Sequence, residues 1–265
     1  MIVIAGNKLT NFDDTMLPEL ERIIYQKKMG SSFEQQYDSM DEFLFELHMR
    51  GRVVEAARLL NKSGIQFAGF KNTRCNDAFW TITEYGGIQL KDGVAPRDAI
   101  NDIFRNGSKY AIECATAIVI ILYKAVLDSI NPEQFDRLFA DLLLFDWHYN
   151  SNLRILRRSN VQQAEAGDVL YFENPDFSPK TPWWRGENVI LLENGKYYGH
   201  GLGIRSGSEM IAALNKYRVP DSNKSAYLSD SYEQLYFNYF RQFRTGVRSS
   251  RVRAIIGGSA FSIYI

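Results

Sequence analysis

Cysteine and histidine are scarce in this sequence, which holds 2 and 3 of them among 265 residues. Two cysteines cannot build a disulfide framework, and a reducing compartment is expected. Cys75, Cys114, His148 and His200 lie far apart, and there is no Asp-x-Asp-x-Asp-Gly loop. No metal site is therefore expected. No cofactor is either, because Gly199–Gly203 and Gly257-Gly258 lack the context of a phosphate-binding loop. An excess of either charge is also missing. Lys and Arg number 31 against 31 Asp and Glu, which removes the general electrostatic argument for nucleic acid as a partner. The longest apolar run, Ala115 to Tyr123, is about half of what a membrane span needs, so no membrane partner is expected. Met1 to Gly6 has no basic flank and is too short for a signal h-region, which points to cytoplasmic synthesis. Without internal repeats or low-complexity tracts, solenoids and propellers are excluded.

What remains is a globular composition, 45% apolar, 23% charged and 14% aromatic, in a length that suits one large domain or two small ones. After a short initial strand the first sixty-odd residues read as helical. Leu17 to Met29 has helical apolar spacing, and Ser39-Met40-Asp41-Glu42 matches a capping box ahead of a helix that tolerates Gly51 and stops near Gly64. Ile65–Phe70, Ala78–Thr83 and Gly87–Leu90 are short aromatic or β-branched runs, the pattern of strands. Ala95-Pro96 opens a helix to about Arg105. Glu113 to Leu127 is apolar on nearly every face and reads as a central buried helix. Asn131-Pro132 starts another helix, expected to run to about Phe145. Asp168–Phe172 reads as a strand, a hairpin follows at 188–202, and the rest reads as mainly helical. The sum is an α+β fold, with a catalytic domain over residues 1–240 and a tail over 241–265. That tail carries Arg241, Arg244, Arg248, Arg251 and Arg253 with no acid among them. It reads as a solvated end or as a contact for an acidic surface, and its apolar close, Ala254–Ile265, must dock to be stable.

Cys114 stands at the start of the central helix, where first-turn N–H groups and the helix dipole favour thiolate and could bind an oxyanion. Taken alone it reads more readily as an inert buried thiol, and a catalytic role needs a base beside it. Among the histidines, His200 has a predictable neighbourhood. Asn194-Gly195 suits a two-residue hairpin turn, which would set Val189 opposite His200 and make Glu187 its diagonal neighbour. The two side chains would then share a face, with Cβ atoms roughly 7–8 Å apart. Such a pair is either an ordinary cross-strand contact or an acid and imidazole set to serve Cys114.

Three blocks together carry a resemblance: Tyr110 to Ile121 with Glu113-Cys114, Phe145-Asp146-Trp147-His148-Tyr149, and Trp184-Arg185-Gly186-Glu187-Asn188 with Gly199-His200-Gly201-Leu202-Gly203. Over roughly residues 1–240 the chain resembles the spore-coat protein-glutamine gamma-glutamyltransferases, the small calcium-independent transglutaminases of spore formers. The resemblance implies a papain-like core, a central Cys-bearing helix packed on an antiparallel sheet, with added amino-terminal helices. It implies Cys114 as nucleophile with Glu187 and His200 as its partners, and Glu113 as a second acid. Trp184, Trp147, Tyr171, Phe67 and Asn188 are the candidates for the wall of a substrate tunnel, with Tyr197 and Tyr198 as further aromatics. Expected partners are coat proteins donating glutamine and lysine side chains to a monomeric enzyme that acts at the spore surface. A papain-type thiol hydrolase and a non-catalytic coat scaffold are the alternatives.

Overall fold

The computed structural model describes residues 1–245 and 251–264; Arg248 and Ile265 of the tail lie outside them. Strands β1 (Ile2–Ile4) and β2 (Asn7–Phe12) form a hairpin whose two linking residues, Ala5 and Gly6, both have positive φ, 48° and 76°. Helix α1 (Glu19–Met29) leads to β3 (Gln35–Tyr37), which pairs parallel to β1. The amino-terminal layer is thus a helix pair on a small sheet, more than the single strand expected there. Helix α2 (Met40–Lys62) starts on Ser39, whose hydroxyl accepts from the Glu42 N–H at 3.2 Å. The Glu42 carboxylate passes over Ser39 and takes the Asp38 N–H at 2.8 Å, so the capping box closes one residue early.

Next come β4 (Gln66–Phe67), β5 (Trp80–Ile82), β6 (Ile88–Leu90), α3 (Pro96–Arg105) and β7 (Ala111–Ile112). Helix α4 (Cys114–Leu127) is buried almost throughout, and α5 (Pro132–Leu138) follows its Asn131 cap. The α5 helix ends seven residues before Phe145, because Leu143–Leu144 leaves to form β8 against β6. Apolar residues alone could not separate that buried strand from one more helical turn.

The remaining elements build the main sheet: β9 (Ile155–Ser159), β10 (Val169–Glu173), β11 (Gly186–Leu191), β12 (Tyr197–Gly199), β13 (Gly203–Arg205), α6 (Gly207–Asn215), β14 (Tyr227–Leu235) and α7 (Phe237–Arg241). Six strands run β13-β12-β11-β10-β14-β9 with antiparallel neighbours. Side chains alternate across it. Val169, Ile190, Leu192 and Tyr198 join the core around α4, and Leu170, Phe172, Val189 and Leu191 pack with Met210 and Leu214 of α6. The fold is α+β, with the Cys-bearing helix on one face of an antiparallel sheet and α1 and α2 added beside it. The expected helical character after Ser206 fails at β14, nine residues long and inside the sheet. Its sequence, rich in Ser, Tyr and acidic residues, has no apolar alternation to announce a strand.

The carboxyl end is not a solvated tail. β15 (Arg251–Ile256) and β16 (Ser259–Tyr264) form a hairpin, and β15 pairs with β2, widening the amino-terminal sheet to five strands. Before it, Arg241 and Arg244 both bond Asp41 at the start of α2. Two of the five arginines therefore serve the protein's own packing.

A buried ion cluster joins the helical layer to the sheet. Lys28 is 2% exposed and meets Glu46 at 2.9 Å and also Glu165. Arg50 meets Glu46 and Asp168, each at 2.7 Å. Burial would raise the Glu46 carboxyl, but Lys28 and Arg50 outweigh it and hold the group down at about 2. Burial wins at Asp168, which is raised to about 6 despite Arg50. Removing one member of such a set leaves uncompensated buried charge. Arg50→Met is expected to cost about 3–5 kcal/mol in urea denaturation, and an unchanged midpoint would refute this role for the cluster.

Candidate active site

Parallel pairing of β4 with β7, Gln66 to Ala111 and Phe67 to Ile112, brings Gln66 and Phe67 beside the start of α4. Glu113 is the N-cap. Its carboxylate accepts from the N–H groups of Ala115 at 2.9 Å and Thr116 at 3.2 Å, and from the Cys114 thiol at 2.9 Å. Two first-turn amides, those of Ala115 and Thr116, are thus shared with Glu113, and the Ala115 amide alone pulls the thiol toward thiolate, against larger effects. Burial, the charges of Glu187 and Glu113, and the hydrogen bond to Glu113 together push the Cys114 thiol well above its ordinary value. The resting group is a protonated thiol aimed at a carboxylate.

Glu187 lies on β11 opposite Phe172 of β10 and is fully buried. Neither of its carboxyl oxygens has a hydrogen-bond partner among the described residues. Burial, aided by the charge of Glu113, raises this carboxyl well above the usual range. The carboxyl has room only because Gly199 faces it: a Cβ there would lie 2.7 Å from Glu187 Oε1. Cys114, Glu113 and Glu187 thus form one electrostatic group, in which burial and mutual repulsion favour the protonated forms of the thiol and of Glu187.

His200 is placed differently from expectation. The loop of the β11–β12 hairpin contains three residues, Glu193 to Gly195. The Gly195 N–H bonds the Leu192 carbonyl, the Leu192 N–H bonds the Lys196 carbonyl, and Gly195 has φ +73°. This is a turn closed by a left-handed glycine, and it slips the register by one. Val189 therefore faces Gly199, not His200. His200 lies past the strand, 3% exposed, with Nε2 3.2 Å from the Gln66 carbonyl and Nδ1 3.4 Å from the Tyr198 hydroxyl. A carbonyl can only accept, so Nε2 carries the hydrogen and Nδ1 accepts from Tyr198. Burial lowers its pKa to about 4 against the pull of its backbone partners. The ring ties the hairpin to β4, and burial favours its neutral form.

A cavity of about 1030 Å³ opens over Cys114, with Phe67, Glu113, Tyr171, Trp183 and Asn188 in its wall. A second, of about 480 Å³, adjoins it and takes in Trp147. Ala115, Asp146, Tyr171, Arg185 and Asn188 line both. Of the expected wall residues, Phe67, Tyr171, Asn188 and Trp147 are thus in place. Burial pushes the Tyr171 hydroxyl up to about 12, so it stays a donor. Trp184 is not in the wall: it is stacked between Phe67 and Tyr217, with ring centroids 5.7 and 4.4 Å away. Its neighbour Trp183, 44% exposed, supplies the lining indole. Tyr197 packs on Phe172 at the other face of the sheet, and His148 is exposed. Sequence reasoning passed over Trp183, Arg185 and Asp146, although all three touch the quoted blocks; in each case the choice between adjacent residues needed the backbone path.

The sequence profile of the protein-glutamine gamma-glutamyltransferases matches residues 1–244. The chain belongs to that family. The protein-glutamine gamma-glutamyltransferase of Halalkalibacterium halodurans is 44% identical over 230 residues, covering 87% of this chain and 81% of the relative. That of Bacillus pumilus is 44% identical over 244 residues, 91% of this chain and 98% of the relative. A solved transglutaminase from Geobacillus stearothermophilus, without its C-terminal extension, matches at a TM-score of 0.76 and 49% identity, over 79% of this chain and 100% of that one. Membership of the protein-glutamine gamma-glutamyltransferases makes the chain an acyltransferase, and its core is of the papain type.

The state of Glu187 has a measurable consequence. Native Glu187 keeps its proton above the ordinary value of 4.5 at which an unfolded glutamate releases it. The native state then binds more protons, and stability falls as pH rises above that value. Glu187→Gln should remove this loss, so its thermal midpoint should exceed wild type by a margin that grows as pH rises above the ordinary glutamate value of 4.5. A margin independent of pH would mean that Glu187 is ionised in the native protein.

Proposed function

We propose that this transglutaminase forms ε-(γ-glutamyl)lysine cross-links between proteins through a thioester on Cys114, without calcium, and that its substrates are spore-coat proteins. The observation that carries the reading is the buried thiol hydrogen-bonded to Glu113, close to Glu187, in the wall of a large cavity that adjoins a second one. The coat as site of action rests on the motif resemblance.

In the first half-reaction the γ-carboxamide of a glutamine enters and the Cys114 proton moves to Glu113 as sulfur attacks the carbonyl carbon. The C–N bond breaks and ammonia leaves with a single proton from Glu187, which the thiol proton held on Glu113 then replaces. Protonated Glu187 serves as the acid toward the departing nitrogen. In the second half a neutral lysine amine attacks the thioester carbon, the C–S bond breaks, and the proton shed by the amine returns to sulfur through a carboxylate. Unperturbed lysine titrates near ~10.4, so the amine must be desolvated and relieved of a proton before attack. Two carboxylates in one buried group can exchange that proton without solvent. His200 acts in this reading as a positioning residue, because a neutral ring bound to Gln66 and Tyr198 has no free nitrogen for the sulfur.

The test is incubation in EDTA with a glutamine-rich protein and a fluorescent primary amine. Wild type should incorporate the amine, Cys114→Ala should not, and Glu187→Gln should fall by about 10²-fold or more, as removal of a positioned acid–base group does. Ammonia release without incorporation would make the chain a thiol hydrolase, and incorporation by Cys114→Ala would remove the assigned nucleophile.

A further inference from the structure

The two cavities, which share Ala115 next to Cys114, differ in charge as well as size. Each shares Asp146 and Arg185 with the other. Beyond these, the larger sets Lys71 and Arg74 against one acid, Glu113, with the rings of Phe67, Phe70 and Trp183 in its wall. The smaller is edged instead by Glu173 and Glu233, with Arg157 opposite them. Glu173 is at the end of β10 and accepts from the Tyr227 hydroxyl at 2.7 Å. Glu233 is on β14 opposite Arg157 of β9, so both carboxylates sit on rigid strands. The reaction needs one neutral side chain, the carboxamide, and one that arrives as a cation. A cation is drawn to the acid-edged mouth and repelled by the one edged with Lys71 and Arg74, and in a partly desolvated cleft such fields are less screened than in water.

We propose that the smaller cavity is the amine entrance, where Glu173 and Glu233 guide the lysine ammonium toward Cys114, and that the larger cavity takes the glutamine side chain; this rests on the cross-linking reading above. Volume agrees with charge. A cavity of about 480 Å³ suits one extended side chain, and one of about 1030 Å³ can also seat the residues flanking a glutamine. Burial pushes the Glu233 carboxyl up, against Arg157, so an arriving ammonium would favour its charged form and be held by it. A second consequence concerns the donor. With Lys71 and Arg74 at its edge, the larger cavity should favour glutamines with acidic neighbours in sequence.

The experiment compares two acceptors on one glutamine peptide: a cationic alkylamine, and hydroxylamine, which is uncharged at neutral pH. In the Glu173→Gln/Glu233→Gln variant the KM for the alkylamine should rise about five- to tenfold, the scale of two partly screened charge pairs. The KM for hydroxylamine and for the peptide should stay within about twofold. Raising salt from about 20 to 300 mM should act on wild type in the same selective way, which decides the matter if the variant does not fold. A rise in the KM for the peptide with the alkylamine unaffected would overturn the assignment and exchange the two cavities. An equal rise for both amines would overturn charge guidance. If wild type uses neither amine yet releases ammonia from the peptide, the cross-linking reading itself falls.

Discussion

The bond from the Cys114 thiol to Glu113 is the contact on which the site depends. One carboxylate performs two tasks: it caps the almost wholly buried helix α4 and it accepts the hydrogen bond of the Cys114 thiol. Because the N–H groups of Ala115 and Thr116 hold it in place, it cannot rotate away from sulfur. A free helix start would have favoured thiolate. With two of its amides occupied and a second carboxyl group nearby, the same helix start keeps the proton on sulfur. In the proposed reaction, activation is a redistribution of protons within the group, driven by the charge that develops when a carbonyl is attacked.

That arrangement costs stability. A buried carboxyl without a partner is destabilising, and Glu187 is held in that condition by the sheet: Phe172 on β10 sets its position and Gly199 leaves the space it fills. The surrounding scaffold offsets the cost. Helix α4 presents Ile118 to Val126 to a continuous core, and the Lys28–Glu46–Arg50–Asp168 cluster fixes the helical layer against the start of β10. Local strain of this kind at a site, within a well-packed frame, is the usual division of labour between function and stability.

The carboxyl-terminal hairpin stands outside the 1–244 region that carries the family likeness. Its strand β15 runs along β2, with backbone bonds such as Asp13 N–H to the Arg253 carbonyl, so the two ends of the chain share one sheet. The basic stretch ahead of it is partly neutralised from within, by Asp41. A run of arginines that reads as a surface for an acidic partner is here, at Arg241 and Arg244, part of the packing between α7 and α2.

Much was legible in local signals. Caps at Ser39 and Asn131, the proline at 96, the unbroken apolar run of α4 and the turn near Asn194-Gly195 each act over a few residues, and each marks its element correctly. Cys114 at a helix start and Glu187 on the hairpin were visible for the same reason. The remaining features arise from groups distant in the chain. Whether Gly195 adds a third loop residue decides the register, and with it whether Val189 meets His200 or Gly199. The strand character of Tyr227–Leu235 comes from its neighbours β9 and β10, since its own residues have no clear period. The proton on Cys114, the neutral ring of His200 and the charge of Lys28 follow from summed burial and from carboxylates dozens of residues away. Hydrogen bonding and apolar periodicity along the chain are short-range, so sequence expresses them directly; desolvation and charge–charge coupling exist only once the elements are packed, and they set the chemistry of the site.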